Sequence, residues 1–212
     1  MGACLGEPYN AAWCAVEFYE SSGENLNLLL QLKPSLLEDL YLGRTLLCHA
    51  ILCQNPNAVR FLLDAGANSS YPIRTKSGNE SRRIHLAARL GGIDILKQLI
   101  SHGCDVNVRT SAGETSLMIS ARFDHPDCFL ELLVVGGDMG LVSNSGDSPI
   151  QLPKRSVFSS SIVDILSEAL ISGASICSTD LSVFSPLHFV AASGNAESLQ
   201  VILHSSNADI IS

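Results

Sequence analysis

Phe61-Leu62-Leu63-Asp64-Ala65-Gly66-Ala67 ends a leucine-rich stretch on a small-residue turn, and the same wording returns along the chain. It recurs as Leu99-Ile100-Ser101-His102-Gly103-Cys104, as Leu132-Leu133-Val134-Val135-Gly136-Gly137 and as Leu170-Ile171-Ser172-Gly173-Ala174. The glycines Gly66, Gly103, Gly136 and Gly173 lie 37, 33 and 37 positions apart. A fifth copy, Ile202-Leu203-His204-Ser205-Ser206-Asn207-Ala208-Asp209, carries Asn207 in that place. Glycine, and after it asparagine, tolerates the left-handed backbone that closes a helix. The same chemistry at nearly the same interval predicts a stack of repeated units, each burying its apolar face against its neighbours.

A second marker runs in phase with the first. Gly43-Arg44-Thr45-Leu46-Leu47, Gly113-Glu114-Thr115-Ser116-Leu117, Gly146-Asp147-Ser148-Pro149-Ile150 and Ser185-Pro186-Leu187-His188 each open an apolar segment. A hydroxyl there caps a helix by accepting from backbone N–H groups that have no partner within it. Proline at the first helical position has no N–H to leave unpaired. With Ser185-Pro186-Leu187-His188-Phe189-Val190-Ala191-Ala192-Ser193-Gly194-Asn195 and Ile84-His85-Leu86-Ala87-Ala88-Arg89-Leu90-Gly91-Gly92 as the best copies, the chain resembles the ankyrin-repeat family. The wording around Gly43 and Gly113 is similar to plant ankyrin proteins. The resemblance implies an all-α ankyrin-repeat solenoid of helix–loop–helix units with short hairpin-like finger loops.

About five repeats are expected over residues 41–212, at 41–71, 75–108, 110–140, 143–177 and 180–212. Residues 1–40 read as a degenerate helical capping unit: a helix from Ala11 to Glu20, a stop at Ser21-Ser22-Gly23, and a second helix from Leu26 to Leu32. Three repeats depart from the pattern. Cys48 replaces the histidine of the first, and Arg82 fills the threonine slot of the second after a lengthened finger. Pro153 and the serines 159–161 of the fourth predict a shortened inner helix and a loop. The last repeat ends at Ser212 without a polar cap, which suggests a fragment, a shortened isoform or a partner over that face.

Composition excludes several classes. Of 212 residues 46% are hydrophobic and 16% charged, which is the make-up of a folded chain rather than a disordered one. No apolar run reaches the roughly 18 residues needed to span a bilayer, and no secretory signal opens the chain. A cytoplasmic protein is expected, with the nucleus also open. Met1-Gly2-Ala3-Cys4 resembles an acylated N-terminus, but Gly6 stands where Ser or Thr is wanted, so modification at Gly2 and Cys4 is not expected. The seven cysteines (Cys4, Cys14, Cys48, Cys53, Cys104, Cys128, Cys177) are scattered and read as reduced, mostly buried small apolar groups.

A search for chemistry returns nothing. The resemblance gives His85 and His188 a structural role at the helix start, and no Cys/His pair shows a recognised metal-ligand spacing. Ser148 and Ser185 are caps outside any G-x-S-x-G, and the glycines form no phosphate loop. No catalytic residue, cofactor or metal site is expected, and the chain is not expected to be an enzyme.

The expected activity is protein binding through the concave surface of finger tips and inner helices, as the resemblance implies. Charge adds to this. Between Arg74 and Arg122 stand eight basic residues and four acidic ones, a formal +4, whereas the rest carries −12 of the net −8. The candidate binding residues are Arg74, Lys76, Arg89, Leu90, Arg109, Thr110, Arg122 and Phe123. An acidic or phosphorylated partner segment suits the planar arginine fork. Nucleic acid is not expected, since a chain of net charge −8 repels a polyanion. The alternative is the recognition arm of a larger signalling, ubiquitin-ligase or membrane protein truncated at residue 212.

Overall fold

The turns at Gly66, Gly103 and Gly136 are built the same way. In the computed structural model, residues 8–74 and 80–149 are described. Gly66, Gly103 and Gly136 take φ of +93°, +80° and +97°. At each one the glycine N–H donates three residues back and the following N–H five residues back. These bonds run from Gly66 to Leu63 and Ala67 to Leu62, from Gly103 to Ile100 and Cys104 to Leu99, and from Gly136 to Leu133 and Gly137 to Leu132. The turn thereby satisfies carbonyls that the helix end leaves open. Leu62, Leu99 and Leu132, one per turn, are wholly buried. Burying each such side chain stabilises the fold by about 1.5–3 kcal/mol.

The chain divides into two units, Met1–Asp105 and Val106–Ser212. In the first, helices α1 (Pro8–Glu17) and α2 (Tyr19–Leu32) are followed by a 3-10 turn at Pro34–Leu37. Then come α3 (Leu46–Leu52), α4 (Pro56–Asp64), the two-residue strands β1 (Ile73–Arg74) and β2 (Glu80–Ser81), α5 (Arg83–Leu90) and α6 (Ile93–Ser101). The strands pair antiparallel, Ile73 with Ser81 and Arg74 with Glu80, as a hairpin-like finger. α3 packs on α1 and α5, while α4 packs on α2 and α6. Two layers result, an inner row of odd-numbered helices and an outer row of even-numbered ones. The second unit contains α7 (Ser116–Arg122) packed on α8 (Pro126–Val134).

The hydroxyl caps act as expected. Thr45 Oγ1 accepts from Cys48 N at 3.3 Å and Thr115 Oγ1 from Met118 N at 3.4 Å. Arg82, in the threonine slot of α5, has no acceptor to offer. The helix start is held from the other side, by His85 Nδ1 accepting from Arg82 N at 2.9 Å. His85 thus closes the start of its own helix. His188 lies outside the described residues, as do Pro153 and the serines 159–161.

The N-terminal unit differs from its expected layout. The helix break falls at Phe18, and α2 runs unbroken through Ser21-Ser22-Gly23. Gly23 is accommodated because the Tyr19 ring lies over it; an added Cβ would come within 3.1 Å of that ring. Tyr19 itself leans on Phe61 of α4, with centroids 5.6 Å apart. Packing outweighs the low helix propensity of glycine, which is about 1 kcal/mol.

Candidate protein-binding surface

The structure gives the described residues among those nominated from sequence unequal tasks. In the first unit, Arg74 lies in β1, while Lys76 lies outside the described residues. Arg89 is exposed in the last turn of α5, and Leu90 beside it is partly buried. The Leu90 carbonyl accepts from Gln54 Nε2 at 2.9 Å.

In the second unit, the loop before α7 closes on itself. Thr110 N donates to Glu114 O at 2.9 Å, Gly113 N donates to Thr110 O at 2.9 Å, and Thr110 Oγ1 accepts from Glu114 N at 3.1 Å. The loop before residue 148 repeats the pattern, with Ser143 N on Asp147 O and Gly146 N on Ser143 O, both at 2.9 Å. Arg109 spans the two loops: its Nε donates to Gly113 O at 3.1 Å and its Nη2 to Val142 O. Its guanidinium therefore serves the scaffold. Arg122, at the end of α7, pairs with Glu114, and Phe123 next to it is 42% exposed.

Arg83, one of the eight basic residues between Arg74 and Arg122, is 1% exposed. Nη1 donates to Tyr71 O at 2.9 Å and Nη2 to Thr45 Oγ1 at 2.7 Å, and the guanidinium carbon sits 5.6 Å from the Tyr71 ring centre. Burial pulls its pKa below the usual value. It thus joins the starts of α3 and α5 and offers nothing to a partner. Sequence alone gave one signal, a charged residue at the slot that holds proline in the last repeat, Pro186.

Of the cysteines, Cys48, Cys104 and Cys128 are buried and Cys14 and Cys53 are exposed, so the burial expected of them holds for three of the five described. Burial raises the thiol pKa of Cys48 and Cys104 and, with Asp127 and Glu131 adding to it, pushes Cys128 up to about 11. A grouping that the spacing argument did not find lies where α1 meets α3. Cys53, at the C-cap of α3, has Sγ 3.6 Å from His49 Nε2, and that nitrogen is 3.2 Å from Glu17 Oε1. Among the described residues, no helix is long and apolar enough to cross a membrane.

A family profile for ankyrin repeats, three copies long, matches residues 12–110 and again 84–180. The human SH3 and multiple ankyrin repeat domains protein 2 is 32% identical over 111 residues, covering 52% of this chain and 6% of that protein. Protein PhlB of Serratia liquefaciens is 34% identical over 112 residues, 52% of this chain and 48% of its own. The NF-kappa-B inhibitor cactus of Drosophila yakuba is 43% identical over 67 residues, 31% of this chain and 13% of its own. The chain spans less than half the length of each of these relatives.

Proposed function

Since the chain belongs to the ankyrin-repeat family, whose repeats generally mediate protein–protein interaction rather than catalysis, we propose that it binds an acidic or phosphorylated segment of another protein. The reading places contacts on finger tips and inner-helix ends, at Arg74, Lys76, Arg89 and Leu90 in the first unit and at Thr110, Arg122 and Phe123 in the second, while the Arg109 guanidinium is taken up by the scaffold. The observation that carries it is the pair at the end of α7. Phe123, 42% exposed, follows Arg122 in sequence at the C-cap of α7. Aromatic and arginine side chains dominate binding hot spots, because they combine large buried area with directional hydrogen bonds. Glu114 holds Arg122 in place until a ligand carboxylate or phosphate competes for it.

Fluorescence anisotropy with pools of Asp/Glu-rich, phosphoserine/phosphothreonine and neutral peptides tests the reading. Binding of the charged pools that weakens steeply with salt, with the neutral pool inert, is the expected result. Preference for the neutral pool would overturn the acidic partner and leave Phe123 as an apolar anchor. Binding of no pool would overturn peptide recognition here altogether.

A second reading makes the chain the recognition arm of a longer protein. The small share that it matches of two relatives, 6% and 13%, favours this. A transcript whose open frame continues past Ser212 supports it, and a stop codon there contradicts it.

A further inference from the structure

Outside the proposed binding surface, three side chains with metal-binding atoms converge in the first unit. Glu17 is the last residue of α1, His49 lies on α3, and Cys53 follows one helical turn later. One carboxylate oxygen, one imidazole nitrogen and the sulfur all lie within 4.8 Å of one another. His49 Nε2 is 3.2 Å from Glu17 Oε1, and Cys53 Sγ is 3.6 Å from that nitrogen and 3.9 Å from Nδ1. His49 is 9% exposed and its ring lies against the Trp13 ring, with centroids 3.9 Å apart and planes inclined by 31°. Glu17, on the open side, is exposed to solvent.

We propose that Glu17, His49 and Cys53 form a zinc-binding site, with water as the fourth ligand. Zinc binds sulfur at about 2.3 Å, and nitrogen and oxygen at about 2.0–2.2 Å, with tetrahedral angles. Those values set sulfur and nitrogen about 3.6 Å apart and nitrogen and oxygen about 3.3 Å apart. The grouping already stands at 3.6 Å and 3.2 Å. Sγ, which is also 3.9 Å from Nδ1, would swing outward from the ring toward the Nε2 lone pair to receive the ion. A thiolate and an imidazole favour zinc over magnesium or calcium, which prefer all-oxygen sites. Burial lowers the pKa of His49 and so favours the neutral ring that ligates, while the Cys53 thiol is raised. Zinc therefore displaces the thiol proton, which leaves to solvent as the Zn–S bond forms. Because Glu17 comes from α1 and the other two from α3, the ion acts as a clasp between these helices.

The test uses the full chain, treated with a chelator and then titrated with cobalt(II) and zinc(II). Trp13 is the sole tryptophan, so its fluorescence reports directly on the site. The site predicts one cobalt per chain, a thiolate-to-cobalt absorption band, quenching of Trp13, displacement by zinc and a rise in Tm with zinc. Cys53→Ser and Glu17→Gln, both at solvent-facing positions, should each weaken binding tenfold or more while keeping the circular dichroism spectrum. Cys53→Ser should also abolish the band, and Cys14→Ser, which alters an exposed thiol outside the grouping, should keep it. Absence of binding, or a band of equal strength in Cys53→Ser, would overturn the site.

Discussion

Nη2 of Arg83 lies 2.7 Å from Oγ1 of Thr45, so one repeat's helix cap is also the hydrogen-bond partner of the next repeat's buried cation. Thr45 Oγ1 accepts from both the guanidinium and Cys48 N. The oxygen has two lone pairs, and both are used. Arg83→Ala removes bonds to Thr45 and to the Tyr71 carbonyl and leaves a void in a site that is 1% exposed. We predict a loss of about 2–4 kcal/mol, read as a lower urea midpoint. Arg83→Lys should recover only part of it, because one ammonium cannot reproduce the fork. An unchanged midpoint in the alanine variant would contradict the buried tie.

Two glycines separate backbone strain from lack of room. Gly113 has φ +76°, and a Cβ there would lie 2.8 Å from both Asn144 N and Arg109 Nη2. Asn144 holds the neighbouring loop by donating from N to Ala112 O and from Nδ2 to Ser111 O, each at 3.0 Å. Gly136 has φ +97° and open space around it. Gly136→Ala should therefore cost about 1 kcal/mol, from conformation alone. Gly113→Ala should cost about 2–3 kcal/mol, because it also parts the two loops. Equal thermal shifts for the two variants would contradict the loop contact.

Thiol reactivity should follow burial. Cys14 and Cys53 are exposed, whereas the Cys128 thiol is buried and raised to about 11. Thiolate is the reacting form, so Cys128 should be modified last at neutral pH. Iodoacetamide labelling of the native chain, followed by peptide mapping, reads the order directly. Labelling of Cys128 as fast as Cys14 would contradict the buried α8 face.

The pH dependence has a definite sign at His49. Burial lowers its pKa from 6.5, Glu17 opposes that shift and Arg44 adds to it. As pH falls through 6.5, the unfolded chain takes up a proton that the folded chain declines. This contribution to stability is complete above 6.5 and is lost progressively as pH falls below it, toward the folded value. Urea midpoints measured between about pH 7.5 and pH 5.5 on chelator-treated protein should drop more for the wild type than for His49→Gln. A smaller drop in the wild type would reverse the assignment.

These particulars mark how far the sequence was legible. The turns at Gly66, Gly103 and Gly136 and the caps at Thr45 and Thr115 could be read because each is a local rule, set by residues a few positions apart. Gly23 misled for the opposite reason: its place inside α2 depends on the ring of Tyr19, which is itself braced by Phe61 of another helix. Arg83 and Arg109 look like surface charge in any local window. Their partners at Thr45, Tyr71 and Val142 are brought near only by stacking. Glu17 approaches His49 by the same route, so the grouping with Cys53 had no signature beyond one turn of α3.

Affinity capture from cell lysate, with wild type beside an Arg89→Glu/Arg122→Glu variant, tests the central claim most directly. Both side chains are exposed at helix ends, so the variant should keep its helical spectrum and Tm. Partner binding through this surface predicts a protein retained by the wild type at low salt, released at high salt and absent from the folded variant. Equal capture by both proteins, insensitive to salt, would contradict it.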